Sequence, residues 1–201
     1  MSDLLTLTAD VDLQAAAKDK PATVTILAYS GGEIRPGGFG PTVIDIAGLT
    51  LGRVPLLVDH DSSLGGVVGH GEASASQSAV TVTGKLTRAS EAATKLIAMA
   101  ADGVEWQASV GMDITQSEFV RPGREVAVNG RKFTAGPRGL TVARKGELKE
   151  VSVLSLGADH NTAVTIAAKR GKTMTTTTST ATPDVDARDR REPMRADNEK
   201  L

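Results

Sequence analysis

The chain has 201 residues, a formal net charge of −1 and no cysteine. Without cysteine there are no disulfides, thiolate metal sites or cysteine nucleophiles, and a near-neutral balance gives no overall basic field to draw the chain to nucleic acid or an anionic membrane. Aromatic residues make up 2% of the chain, too few for base-stacking platforms, so a core has to be built from Val, Ile, Leu and Ala around the single Trp106.

Residues 1–20 (MSDLLTLTADVDLQAAAKDK) read as a flexible N-terminal arm. They carry Asp3 early and lack a basic start followed by an apolar stretch, so a secretory signal is not expected. No apolar run approaches the roughly 20 residues that cross a bilayer. The expectation is a soluble protein made and used in a cytoplasm, with no nucleic-acid or membrane partner.

Residues 21–168 form the domain, and short strands separated by glycine dominate it. Residues 22–30 (ATVTILAYS) alternate and are rich in β-branched side chains, which predicts a strand. Residues 31–41 (GGEIRPGGFGP) predict a long loop. Strands are predicted over residues 42–49 and 54–58, then a strand pair over 67–74 and 79–87. Ser90 is an N-cap candidate with Glu91 in the first turn. Ala93, Leu96, Ile97 and Ala100 follow at helical spacing, and Gly103 suits the stop. Strands resume over residues 104–114. Asn129-Gly130 between residues 125–128 and 131–134 is a hairpin signal of the tight primed type. Residues 140–143, 148–156 and 163–168 are the remaining strands. The sum is a β-rich α+β fold, a barrel or strongly bent sheet of mostly antiparallel strands with a packed helix. Residues 169–201 have a Thr/Ser run, then mixed charge and almost no large apolar side chain. They predict a disordered tail or linker.

Three residues carry the candidate chemistry. His60 follows the apolar run VPLLVD, which would hold an imidazole rigidly at a strand end, and imidazole suits general-base work near neutrality. Ser109, in QASVGMDI, precedes Gly111, a spacing that lets a hydroxyl be approached and backbone amides face an oxyanion. Glu150 precedes an apolar strand, where a carboxylate can orient an imidazole through its ring N–H. Taken singly, each has a plainer reading as a polar loop, strand or strand-edge residue. A metal site from Asp59, His60, Asp61 and His70 lacks the spacing of known metal motifs. GGVVGHG, residues 65–71, has no Gly-Lys-Ser/Thr after it and reads as glycines for turns and close backbone approach.

Taken in order, VPLLVDHDSSLGGVVGHGEAS, the strand–helix–strand block TVTGKLTRASEAATKLIAMAADGVEWQASVGMDI, and LKEVSVLSLGADHNTAVTIA resemble the prohead maturation proteases of tailed bacteriophages, a family related in fold to the herpesvirus capsid proteases. The matching pairs and triplets are His60-Asp61, Val68-Gly69, Ser109-Val110-Gly111 and Glu150-Val151-Ser152, spanning roughly residues 22–168. The resemblance implies a herpesvirus-protease-like fold and a serine endopeptidase with His60 as base, Ser109 as nucleophile and an acidic or histidine third member. Glu150 is carried over to that role, with His160 as competitor because a histidine fills it in the herpesvirus relatives. Gly111 or the segment around Arg144 would supply the oxyanion hole. The pattern departs in two places: residues 116–146 insert a hairpin, and Leu156-Gly157-Ala158-Asp159 stands where a proline often precedes the alanine. The resemblance further implies the phage scaffold and the major capsid protein as substrates and partners, cut inside the procapsid in a bacterial host cytoplasm. Self-cleavage is implied as well, and residues 175–182 are the expected place because unstructured segments fit a protease cleft best. It requires no cofactor and leaves association with further copies of the chain open. The rival expectations are a non-catalytic β-rich capsid or scaffold component, and a metal-dependent hydrolase using His60, Asp61 and His70.

Overall fold

A computed structural model describes residues 21–36 and 40–167. The expected arm, the tail and the self-cleavage segment lie outside the described residues.

Among the described residues, twelve strands and one α-helix follow one another. They are β1 (Thr23–Tyr29), β2 (Glu33–Ile34), β3 (Thr42–Ile44), β4 (Leu49–Thr50), β5 (Arg53–Val58), β6 (Val67–Ala75), β7 (Val80–Leu86), α1 (Glu91–Ala101), β8 (Gln107–Val120), β9 (Glu125–Val128), β10 (Arg131–Thr134), β11 (Leu140–Leu154) and β12 (Ala163–Ala167). One sheet runs β12-β1-β7-β6-β5-β11-β3-β2, with β4 and β8 also pairing β11. It curls into a half-barrel with one helix, which agrees with the β-rich expectation. Most pairings are antiparallel, but β11 lies parallel to β3, β4 and β5. β9 and β10 form a separate hairpin.

Alternation builds the inner face. Val24, Ile26 and Ala28 of β1, Val82 of β7, Val68 of β6, Leu56 of β5 and Val151 and Val153 of β11 are buried in one cluster. Ala93 and Leu96 of α1 close over it. Ser90 caps that helix, its side chain accepting from the Ala93 amide at 3.2 Å, and Gly103 follows with φ +92°. A second cluster of Val43, Val120, Val128, Ala135, Leu140 and Val142 sits under the hairpin. Asn129 (φ 53°) and Gly130 (φ 73°) take the left-handed conformations of a primed turn. The Asn129 amide also ties that turn to the body: it donates to Ile44 O (2.8 Å) and Gly31 O (3.1 Å) and accepts from Ile46 N (2.9 Å).

Four stretches differ from expectation. The loop expected over residues 31–41 contains the short strand β2, and the strand expected over residues 104–114 starts at Gln107 and runs on to Val120. The predicted strand over residues 42–49 breaks, because Asp45 accepts from the Ala47 amide and caps a short 3-10 turn, Ile46–Gly48. The two strands expected over residues 140–143 and 148–156 are one strand of 15 residues, β11. Its charged middle, Arg144 to Lys149, stays in the ladder by slipping register against β8 near Arg144 and Lys149. Bulges of this kind keep a strand continuous while releasing single residues from alternation.

Candidate active site

His60 sits where β5 ends. Asp59 and His60 are consecutive non-glycine residues in the left-handed region, φ 53° and 57°. Each costs of order 1 kcal/mol or more and persists only where the surroundings over-determine it, a condition typical of functional sites. The surroundings here are specific. Asp59 N donates to Val153 O (3.2 Å) and Asp61 N to Val58 O (2.9 Å). His60 N donates to Ser152 Oγ at 3.1 Å. The turn is thereby stitched to β11, which runs parallel to β5 with Leu57 beside Ser152. Beyond it, the Asp61 carboxylate accepts from the Ser63 amide and hydroxyl, which hold its carboxyl below the usual carboxylate range.

The imidazole faces Glu150. His60 Nδ1 lies 2.8 Å from Glu150 Oε1, and Ser152 Oγ donates to Glu150 Oε2 at 2.7 Å. A carboxylate only accepts, so this bond places a hydrogen on Nδ1, and in the neutral imidazole Nε2 then holds the lone pair. The carboxylate is sheltered (side chain 15% exposed) while the imidazole is open (46%). The carboxylate is thus held at both oxygens while the imidazole stays open to solvent.

Glu150 and Ser152 share one face of β11, while Val151 and Val153 point into the core. Across the ladder, Gly111 stands opposite Glu150 and Ser109 opposite Ser152. Opposed residues of an antiparallel pair project to the same side with Cβ atoms about 5 Å apart. Ser109 therefore shares the face of Glu150 and Ser152, while its neighbours Ala108 and Val110 face inward. Gly111 is glycine for a reason of space: a Cβ there would lie 2.8 Å from Glu150 Cγ and Cδ and closer still to Oε1. Ser109 is half-buried. It borders a cleft of about 50 Å³ lined also by Ala28, Tyr29, Ile34, Ala158 and Asp159. Among the described residues no hydrogen bond joins the Ser109 hydroxyl to His60, although both flank Ser152.

The outer edge of β8 lies beside this face. Ala108 N donates outward to Thr162 Oγ1 (2.8 Å), and Ala108 O accepts from it (3.0 Å). By the alternation of an antiparallel ladder, Val110 turns its own amide and carbonyl to the same edge. That edge meets β12 only at the isolated bridge between Trp106 and Val164; among the described residues no strand pairs with it at Val110, and the β8 ladder runs to β11.

Other sequence candidates fall elsewhere. His160 borders a wider groove of about 680 Å³ with Trp106, Gln107 and Val164, and the group on His60 Nδ1 is Glu150. Asp159 is buried and structural, accepting from Ser30 N (2.7 Å) and Asn161 N (3.0 Å). Arg144 is no oxyanion donor to Ser109. It lies eight residues along β11 from Ser152, roughly 26 Å of extended strand, and its guanidinium is held by Asp45 and Glu118. Gly111 leaves room for the Glu150 side chain. His70 pairs opposite Pro55 and Lys85 within the sheet, and among the described residues no three His, Asp or Glu side chains converge as a metal site. Sequence reasoning missed the part played by Ser152. The signal was present, since Glu150 and Ser152 are two apart and a strand places such residues on one face.

No family model, no curated protein and no solved structure matches the chain.

Proposed function

We propose that this chain is a serine endopeptidase of the phage prohead maturation type, with a herpesvirus-protease-like fold, that cuts scaffold and capsid polypeptides and itself within a procapsid. The observation that carries the reading is the Glu150–His60 hydrogen bond, on the sheet face that also holds Ser109. Nε2 of the imidazole is the nitrogen that this bond does not use. Ser109 lies across from β11 on a strand whose outer edge, bridged to Val164 at Trp106 and bonded to Thr162 at Ala108, has no strand partner at Val110 among the described residues. The strained turn under His60 and the glycine that makes room for Glu150 add to it, because neither is needed for the core.

In this reading an extended polypeptide lies along the β8 edge, hydrogen-bonding the backbone of Val110. Ser109 turns to His60 Nε2 on substrate binding, closing a hydrogen bond that is open in the free protein. His60 takes the hydroxyl proton as the Ser109 oxygen bonds to the scissile carbonyl carbon. Glu150 steadies the imidazolium that results. The carbon–nitrogen bond then breaks, and His60 hands the proton to the leaving amine. Water, deprotonated by the same imidazole, adds to the acyl carbon and releases Ser109.

The test is co-expression of the chain with a capsid precursor, read by mass spectrometry of both polypeptides. Ser109→Ala and His60→Ala are each expected to abolish precursor cleavage and self-cleavage while the thermal transition stays in place. Cleavage that persists in both variants refutes the reading. If the chain is instead an inert structural component, no cleavage occurs in the unaltered protein.

A further inference from the structure

We infer that Ser152 is a positioning residue of this site, the clamp that fixes both the carboxylate and the backbone of the base. The inference rests on the serine-protease reading for its consequence in catalysis, but its structural part stands on the hydrogen bonds alone.

Ser152 is a fully buried serine (0% exposed) between two buried valines. A buried hydroxyl needs partners, and the usual ones for a strand serine are backbone groups nearby or ordered water. Ser152 has one partner of each kind, a carboxylate and a backbone amide, and both belong to the site. Its proton goes to Glu150 Oε2 at 2.7 Å, and its oxygen accepts the His60 amide at 3.1 Å. Both functions of one hydroxyl are therefore spent on the two residues that form the base and its orienter.

The consequence is geometric. Glu150 Oε1 faces His60 Nδ1 and Oε2 faces Ser152, so the carboxylate is held at both oxygens and cannot swing about its terminal bond. Gly111 leaves the carboxylate its place on the opposite strand. The same hydroxyl anchors the amide of a residue held at φ 57°. The imidazole is thus fixed at its ring, through Glu150, and at its backbone, through one shared atom. The arrangement also separates the two serines opposed across the ladder. Ser152, buried and donating to a carboxylate, is not placed to attack a substrate; Ser109, partly open, is.

The test uses Ser152→Ala in the full chain, at temperatures below the transition of the variant. The first readout is the ring nitrogens of His60 by NMR, which needs no substrate. In the unaltered chain the ring is expected as the Nδ1–H tautomer, with the Nδ1 proton protected and the His60 amide slow to exchange. In Ser152→Ala the two tautomers mix and the amide exchanges at least about tenfold faster. The second readout is cleavage of the capsid precursor. kcat is expected to fall about tenfold to a hundredfold, as when the outer partner of a functional imidazole is removed, with KM nearly unchanged, and Ser152→Thr, which keeps the hydroxyl, restores part of it. An unchanged ring and amide in folded Ser152→Ala overturn the inference, whatever the cleavage does. A changed ring in a chain that never cleaves supports the clamp and sinks the protease reading instead. If Ser152→Ala does not fold, the unaltered chain decides: a freely exchanging His60 amide overturns the inference.

Discussion

Gly111→Ala tests the site with a single methyl group. The backbone tolerates the change, since Gly111 is not among the glycines with positive φ, and alanine in a strand interior gains roughly 0.5–1 kcal/mol over glycine. The added Cβ, however, would sit 2.8 Å from Glu150 Cγ and Cδ, well inside van der Waals contact. Glu150 has to change rotamer, and both its bonds, to His60 Nδ1 and to Ser152, are lost together. Each hydrogen bond to a charged group contributes about 1.5–3 kcal/mol, so about 3–6 kcal/mol for the two. With Glu150 free to turn toward water, about half of that is recovered, and the alanine gain offsets part of the rest, so the net change in stability is about 1–2 kcal/mol, a shift of a few degrees. Catalysis has no such recovery, because a base without its orienter loses the whole contribution of their bond. The 1.5–3 kcal/mol of that one bond corresponds to roughly 10- to 150-fold in rate. The assay is precursor cleavage beside a thermal melt of the same preparation. A Gly111→Ala chain that melts within a few degrees of the unaltered protein and cleaves at full rate refutes the reasoning.

Three further outcomes are expected. Burial raises the Tyr29 hydroxyl to about pH 12 from an ordinary value of 10, against the Ile44 amide that it accepts at 3.0 Å; its stabilising contribution is complete below pH 10 and lost as pH rises toward 12, by about 2–3 kcal/mol, so the alkaline decline in melting temperature over that window should vanish in Tyr29→Phe. Asn129→Ala, which removes three hydrogen bonds and strains a left-handed position, should lower stability by about 2–4 kcal/mol in urea unfolding, and Asn129→Gly by about 1 kcal/mol less. Leu96→Ala, at a buried contact between α1 and the sheet, should cost about 2–5 kcal/mol and leave the NMR signature of the His60 ring unaltered in the folded fraction.

Much of this was legible in the chain, and the reasons differ by residue. The β1 and β7 strands show their alternation openly, and Ser90, Asn129 and Gly130 announce turns and caps through local chemistry that tertiary contacts do not override. His60 at a strand end and Glu150 at a strand boundary were likewise visible. What stayed hidden depends on register. That Gly111 yields space to Glu150, and that Ser109 faces Ser152, follows from how β8 and β11 align, and three register shifts along that ladder set the alignment. The fusion of two strands into β11 was missed because Arg144, Lys145 and Lys149 look like a break, whereas Lys145 is exposed and Arg144 and Lys149 bond to Asp45, Glu118, Glu147 and Asp113. Ser152 reads as an ordinary strand serine until its two partners, one of them ninety-two residues away, are seen around it.

The most direct trial of the account is labelling with a fluorophosphonate, which phosphonylates a serine hydroxyl only when a neighbouring base activates it. Peptide mapping by mass spectrometry is expected to find one adduct, on Ser109, absent in His60→Ala and slowed in Glu150→Gln. No adduct at all, or one that forms equally well without His60, or one on Ser152, would contradict it.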